Sequence, residues 1–150
     1  MELTLEETLR SSGGRRATGR RFLDFVVDGK RLGPLAAQAE TDNITGLWLG
    51  VVEPGRSSLL RLLGRAEPDA GGSRTSVYVC PECADLECGA ITARVKLDRR
   101  TVTWSRWGFQ SGLDDFVPLE HFSDLSLDRS RYDKVLGDAL EQRFSPRGRR

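Results

Sequence analysis

Residues 90–97, AITARVKL, alternate side-chain character without a break: Ile91, Ala93, Val95 and Leu97 on one side, Thr92, Arg94 and Lys96 on the other. A period of two is that of a β-strand with one face on a core. A second extended run, TVTWSRW at 101–107, follows after the polar Asp98-Arg99-Arg100. The pair predicts an antiparallel hairpin with Ile91, Val95 and Leu97 buried. No regular alternation of strands and helices is present from which a parallel, doubly wound sheet could be built. The expected fold is therefore α+β: one domain, mainly antiparallel sheet, with about two helices packed on one side. A length of 150 residues with 38% hydrophobic content suffices for one core and not comfortably for two.

The other segments fit that frame. Leu3 and Leu5 alternate with Glu2, Thr4 and Glu6, a half-buried strand. Asp28-Gly29 follows the apolar run RFLDFVV and supplies the positive φ angles of a tight hairpin. ITGLWLGVVEPG, residues 44–55, reads as a buried strand closed by Pro54-Gly55, and TSVYV leads as another into the cysteines. In RSSLLRLLGR a short helix is expected after Ser57-Ser58, ending on Gly64. A longer one follows Asp128, its stripe made of Tyr132, Val135, Leu136, Ala139 and Leu140. Residues 11–20, rich in Gly, Ser and Arg, are expected to be a mobile basic loop, and 145–150 a disordered basic tail.

With 23 basic and 22 acidic residues the formal charge is +1, which argues against a surface built as a whole for nucleic acid or an acidic membrane. The N-terminal MELTLEETLR lacks the charge pattern of a secretory signal, and no stretch approaches 18 apolar residues. A cytoplasmic protein with reduced thiols is expected.

All three cysteines fall within VYVCPECADLECGA, at Cys80, Cys83 and Cys88. The C-x2-C spacing is that of a zinc knuckle; Cys88 offers a third thiolate and His121, the single histidine, is the best candidate fourth. A structural zinc site normally takes four ligands, and a second knuckle is missing. A thioredoxin-like dithiol needs a helix behind its first cysteine and positive charge nearby, whereas Glu82, Asp85 and Glu87 crowd this one. The expectation is accordingly a turn whose cysteines are small, largely buried residues, with no cofactor; zinc is the alternative.

From VYVCPECADLECGAITARV through VTWSRWGF the chain resembles a family of small bacterial proteins, largely actinobacterial, with the pattern C-P-x-C-G-D-L-x-C-G-A followed by a strand carrying V-x-W. The likeness extends from about Leu59 to Leu140. Ala84 stands where that pattern has glycine, and Glu87 where glycine is frequent. The resemblance implies membership and carries no reaction with it.

Trp104, Arg106 and Trp107 interleave aromatic and basic side chains on one strand, a candidate binding surface. Asp114-Asp115 near Glu120 and His121 reads as solvated turn residues, and no phosphate loop or nucleophile elbow is present. The function expected is a non-catalytic binding or interaction domain, with a protein as its partner class and neither membrane nor nucleic acid. The alternative is a cysteine-centred activity, structural zinc or thiol–disulfide exchange, at Cys80, Cys83 and Cys88.

Overall fold

The computed structural model describes residues 1–10, 19–39, 41–112 and 115–146. Most of the expected basic loop and tail, residues 11–18 and 147–150, lies outside them. Strands β1 (Leu3–Arg10) and β2 (Arg20–Val27) pair antiparallel, Leu3 opposite Val27. Arg20 thus belongs to a strand and not to the loop. Asp28 and Gly29 turn the chain with φ of 49° and 81° into β3 (Lys30–Arg31), the tight hairpin that Asp-Gly predicts.

Helix α1 (Gly33–Gln38) follows, with proline in its first turn and six residues in all, too short for its periodicity to show in the sequence. It is fixed from below by Asp24. This buried carboxylate accepts from the backbone N–H of Phe25 (2.9 Å) and Gly33 (3.2 Å) and from the Tyr78 hydroxyl (2.7 Å).

The larger sheet runs β4 (Ile44–Thr45), β5 (Arg74–Val79), β6 (Ala90–Leu97), β7 (Thr101–Ser111) and β8 (Asp115–Pro118), with β9 (Leu125–Asp128) on the first half of β7. The hairpin of β6 and β7 forms as its alternation predicts, Val95 facing Trp104. Its burial is uneven. Ile91 and Ala93 are fully buried, and so is Thr92 on the opposite face, whereas Val95 and Leu97 are only half-buried. Those two line a cleft with Arg61, Gly64 and Arg65, where the chain leaving the second helix fails to cover the end of β6.

Segment 44–55 is not the continuous strand expected. Only Ile44 and Thr45 pair with β5, while Trp48 bridges Phe22, and the backbones of Leu47 and Leu49 exchange hydrogen bonds with Leu23 and Arg21 of β2. The Thr45 hydroxyl donates to the Leu23 carbonyl at 2.6 Å. A segment that satisfies its backbone on two sheets cannot stay straight. Ile44, Leu47 and Trp48 are buried, Leu47 fully, whereas Val51 is exposed.

Helix α2 (Gly55–Leu62) starts before the serines; Glu53, not a serine, accepts from the Ser57 N–H (2.8 Å) and hydroxyl (2.7 Å). Helix α3 (Arg129–Arg143) begins as its sequence predicts, with Asp128 accepting from the Arg131 N–H at 2.9 Å. Tyr132, Leu136, Ala139 and Leu140 are buried and Val135 partly so. The core is aromatic at its centre. Phe25 and Tyr132 meet the fully buried Trp104 edge to face, at 5.1 and 6.1 Å, and the Trp104 indole N–H donates to the Tyr132 hydroxyl (3.2 Å), which donates to the Leu62 carbonyl (2.6 Å). That relay ties β7 to α3 and α2. Among the described residues the architecture is α+β in one compact domain, two antiparallel sheets with three α-helices, and none of those helices is long and apolar enough to cross a membrane.

Candidate metal centre

Of the surface proposed on β7, only Arg106 is on the outside. Trp104 is 0% and Trp107 4% exposed, so the binding-surface expectation is corrected. The cause is a bulge: the register shifts between Thr92 and Arg94, and Arg106 takes φ 55° as the extra residue on β7. Inserting one residue restarts the alternation, and both tryptophans, three apart in sequence, turn to the core. Trp107 stacks there on Phe122 at 4.5 Å.

The cysteine loop lies between β5 and β6. Cys80 follows β5 directly, Pro81 is buried, and the chain doubles back so that the Ala84 N–H donates to the Cys80 carbonyl at 2.9 Å. Ala84 takes φ 58°, a conformation that glycine adopts freely and L-residues rarely. Asp85 then caps a single 3-10 turn, Leu86–Cys88, accepting from the Glu87 N–H at 2.9 Å. Gly89, at φ 93° with the Phe109 ring where a Cβ would stand, returns the chain to the sheet.

Beneath the loop is a small core of its own, Phe22, Ile44, Trp48, Val79 and Ala90, into which Ala84 and Leu86 pack. These two take the apolar places that were expected to receive sulfur. Cys80 is half-buried and Cys83 and Cys88 are exposed, which corrects the expectation of three largely buried thiols.

The three Sγ atoms lie within 4.8 Å of one another, Cys83 and Cys88 only 3.3 Å apart. Cys80 Sγ accepts from the backbone N–H groups of Glu82 and Cys83, and Cys83 Sγ accepts from that of Asp85 at 3.4 Å. Partial burial pushes the Cys80 thiol up, but these amides and the neighbouring thiols together outweigh it and hold it below its ordinary range. Cys88 is pushed up to about 11, first by its hydrogen bond with Cys83 and then by the charge there.

The structure therefore brings together three of the four residues proposed as ligands. His121 stands apart: its Nε2 is 2.9 Å from the Leu35 carbonyl, its ring is tilted on Phe122, and it does not join the sulfur group. No Asp, Glu or His among the described residues completes that group.

What sequence reading missed is Arg20, 61 residues from its partner. Its Nε donates to the Pro81 carbonyl at 2.8 Å and its guanidinium lies 3.8 Å above the Trp48 ring. β2 thus delivers a cation to the Pro81 carbonyl at the base of the loop. A cleft of about 620 Å³ adjoins it, lined in part by Glu7, Arg21, Arg143 and Glu82; there Glu7 is 3.3 Å from Arg21 and 4.0 Å from Arg143. Comparison of the chain with protein-family models, with known proteins and with solved structures gives no match.

Proposed function

We propose that this chain is a non-catalytic binding domain whose Cys80–Cys88 loop holds a zinc ion through three thiolates. The observation that carries the reading is the convergence of the sulfurs within 4.8 Å. A tetrahedral zinc with Zn–S bonds of about 2.3 Å sets its sulfurs about 3.8 Å apart, so small side-chain adjustments suffice. The N–H groups donated to Cys80 and Cys83 stabilise thiolates, the ligand form. They also fix the turn before any ion arrives.

The charge balance favours holding over reaction. Three thiolates more than offset a dication, and Glu82, Asp85 and Glu87 add negative charge to the same loop. A water bound in such a field keeps its proton far more firmly than one on a zinc with neutral ligands. The fourth position, for which no described side chain is placed, takes such a water or a donor atom from a partner protein.

The test is metal content and its effect on stability. Protein expressed with zinc should carry about one ion per chain, by the stoichiometry of a single three-thiolate site. Cobalt substitution should give thiolate-to-metal charge-transfer bands, and chelator should lower the melting temperature of the wild type but not of Cys80→Ser. Protein free of metal that melts identically with and without chelator would overturn the reading.

A further inference from the structure

We propose that Cys83 and Cys88 are an oxidation site for hydroperoxides, closing to an intramolecular disulfide. Their sulfurs are 3.3 Å apart and both residues are exposed. A disulfide bond of about 2.05 Å needs the two atoms to approach by little more than 1 Å, roughly one side-chain rotation within a loop whose backbone already brings them together. Cys80 is the odd thiol out: it is half-buried, and the 3.3 Å contact joins the other two sulfurs.

The reaction balances in two steps. One thiolate of the pair attacks the peroxide; an S–O bond forms, the O–O bond breaks, and the alcohol, or water from hydrogen peroxide, departs with a proton. The second thiol then attacks the resulting sulfenic sulfur. An S–S bond forms, the S–O bond breaks, and hydroxide leaves as water with the thiol's proton. In sum two thiols are oxidised and one peroxide is reduced to an alcohol and water. Thiol reductants reverse the change by exchange.

The pairing needs no metal, but its consequence for metal rests on the zinc reading: two of the three ligands are consumed together, so oxidation releases the ion. Position in the fold makes the change local. Arg20 and the small core under Ala84 and Leu86 hold the base of the loop, and the exposed sulfurs move above it.

The test treats the full chain, reduced and stripped of metal, with a small excess of hydrogen peroxide and then alkylates it. Trypsin releases residues 75–94 as one peptide containing all three cysteines. The expected product lacks two hydrogens, carries one alkyl group on Cys80, and has Cys83 joined to Cys88. Cys80→Ser should form the same link, whereas Cys83→Ser and Cys88→Ser should not lose the two hydrogens at a comparable rate. Stepwise oxygen addition without a link, or a link through Cys80 in place of the Cys83–Cys88 pair, overturns the proposal. A parallel sample loaded with zinc and monitored with a chromophoric chelator separates the two readings. Zinc that never binds, beside a disulfide that forms, defeats the metal reading alone; zinc that binds to a chain whose stripped form makes no disulfide defeats the oxidation site alone.

Discussion

Arg20 clasps Pro81: from the first residue of β2 its Nε donates to that carbonyl at 2.8 Å while its guanidinium covers Trp48. One side chain therefore joins the three-stranded sheet, the segment bridging the two sheets, and the base of the cysteine loop.

Replacing Arg20 with Ala removes a hydrogen bond from a charged donor and a cation–π contact, and at a half-buried site the two together are worth on the order of 2 kcal/mol. We expect a lower melting temperature and faster reaction of the cysteines with a thiol reagent. Arg20→Lys, which keeps the charge and loses the planar fork, should fall between. An alanine variant indistinguishable from wild type in both measurements would show that the loop is held by its small core alone.

Ala84 offers a test of backbone conformation with little change in volume. At φ 58° a β-branched residue is strongly disfavoured, so Ala84→Val should lose roughly 1–3 kcal/mol. Ala84→Gly relieves the strain but gives up the methyl group packed below the loop and adds freedom to the unfolded chain. It should stay within about 1 kcal/mol of wild type. Chemical denaturation of the three proteins measures both, and a valine variant as stable as alanine would contradict the left-handed turn.

Much of the fold was readable because its signals are local. The alternation of 90–97, the Asp28-Gly29 turn and the Asp128 cap each state their structure within a few residues, and each forms. The failures share one cause: the decisive partner is far away in sequence. Segment 44–55 has strand composition, but it divides its hydrogen bonds between β2 and β5. Trp104 and Trp107 have the look of an exposed pair until the bulge at Arg106 turns both inward. The cysteine stretch reads as a strand-to-strand connection and the chain does turn there, yet Ala84 and Leu86, not the sulfurs, pack on the small core beneath it. Arg20 could be found only by knowing that β2 runs beside the loop.

Glycine substitutions separate strain from crowding. Gly29 has φ 81° and open space, with no atom within 4 Å, where a Cβ would stand, while Gly89 has φ 93° and the Phe109 ring in that place. Gly29→Ala should therefore cost conformational strain alone, about 1 kcal/mol. Gly89→Ala adds overpacking against a ring on β7, for a total of roughly 2–4 kcal/mol. Equal losses in the two variants, measured by denaturant titration, would mean that Phe109 yields freely.

The chain's two tyrosines, Tyr78 and Tyr132, are both fully buried. Burial pushes each phenol above its ordinary value of 10.0; for Tyr78 the neighbouring Asp24 charge and the hydrogen bond to it add to the effect, and for Tyr132 the bond from Trp104 opposes it. A raised folded-state pKa fixes the sign of the linkage. The neutral phenols contribute in full below pH 10.0, and that contribution is lost as pH rises through the raised values, because the unfolded chain releases its protons first. The protein should therefore show no reversible tyrosinate absorbance in its native state near pH 10, and phenolate should appear together with loss of the near-ultraviolet dichroism of Trp104 and its neighbours. Tyr132→Phe removes the donor to the Leu62 carbonyl and the acceptor for the Trp104 indole, so it should lose about 1–3 kcal/mol at neutral pH while its stability falls less steeply above pH 10.0 than that of wild type. Half of the tyrosine absorbance titrating smoothly near pH 10.0 with the fold intact would place one of the two phenols in solvent and refute the aromatic relay at the centre of the core.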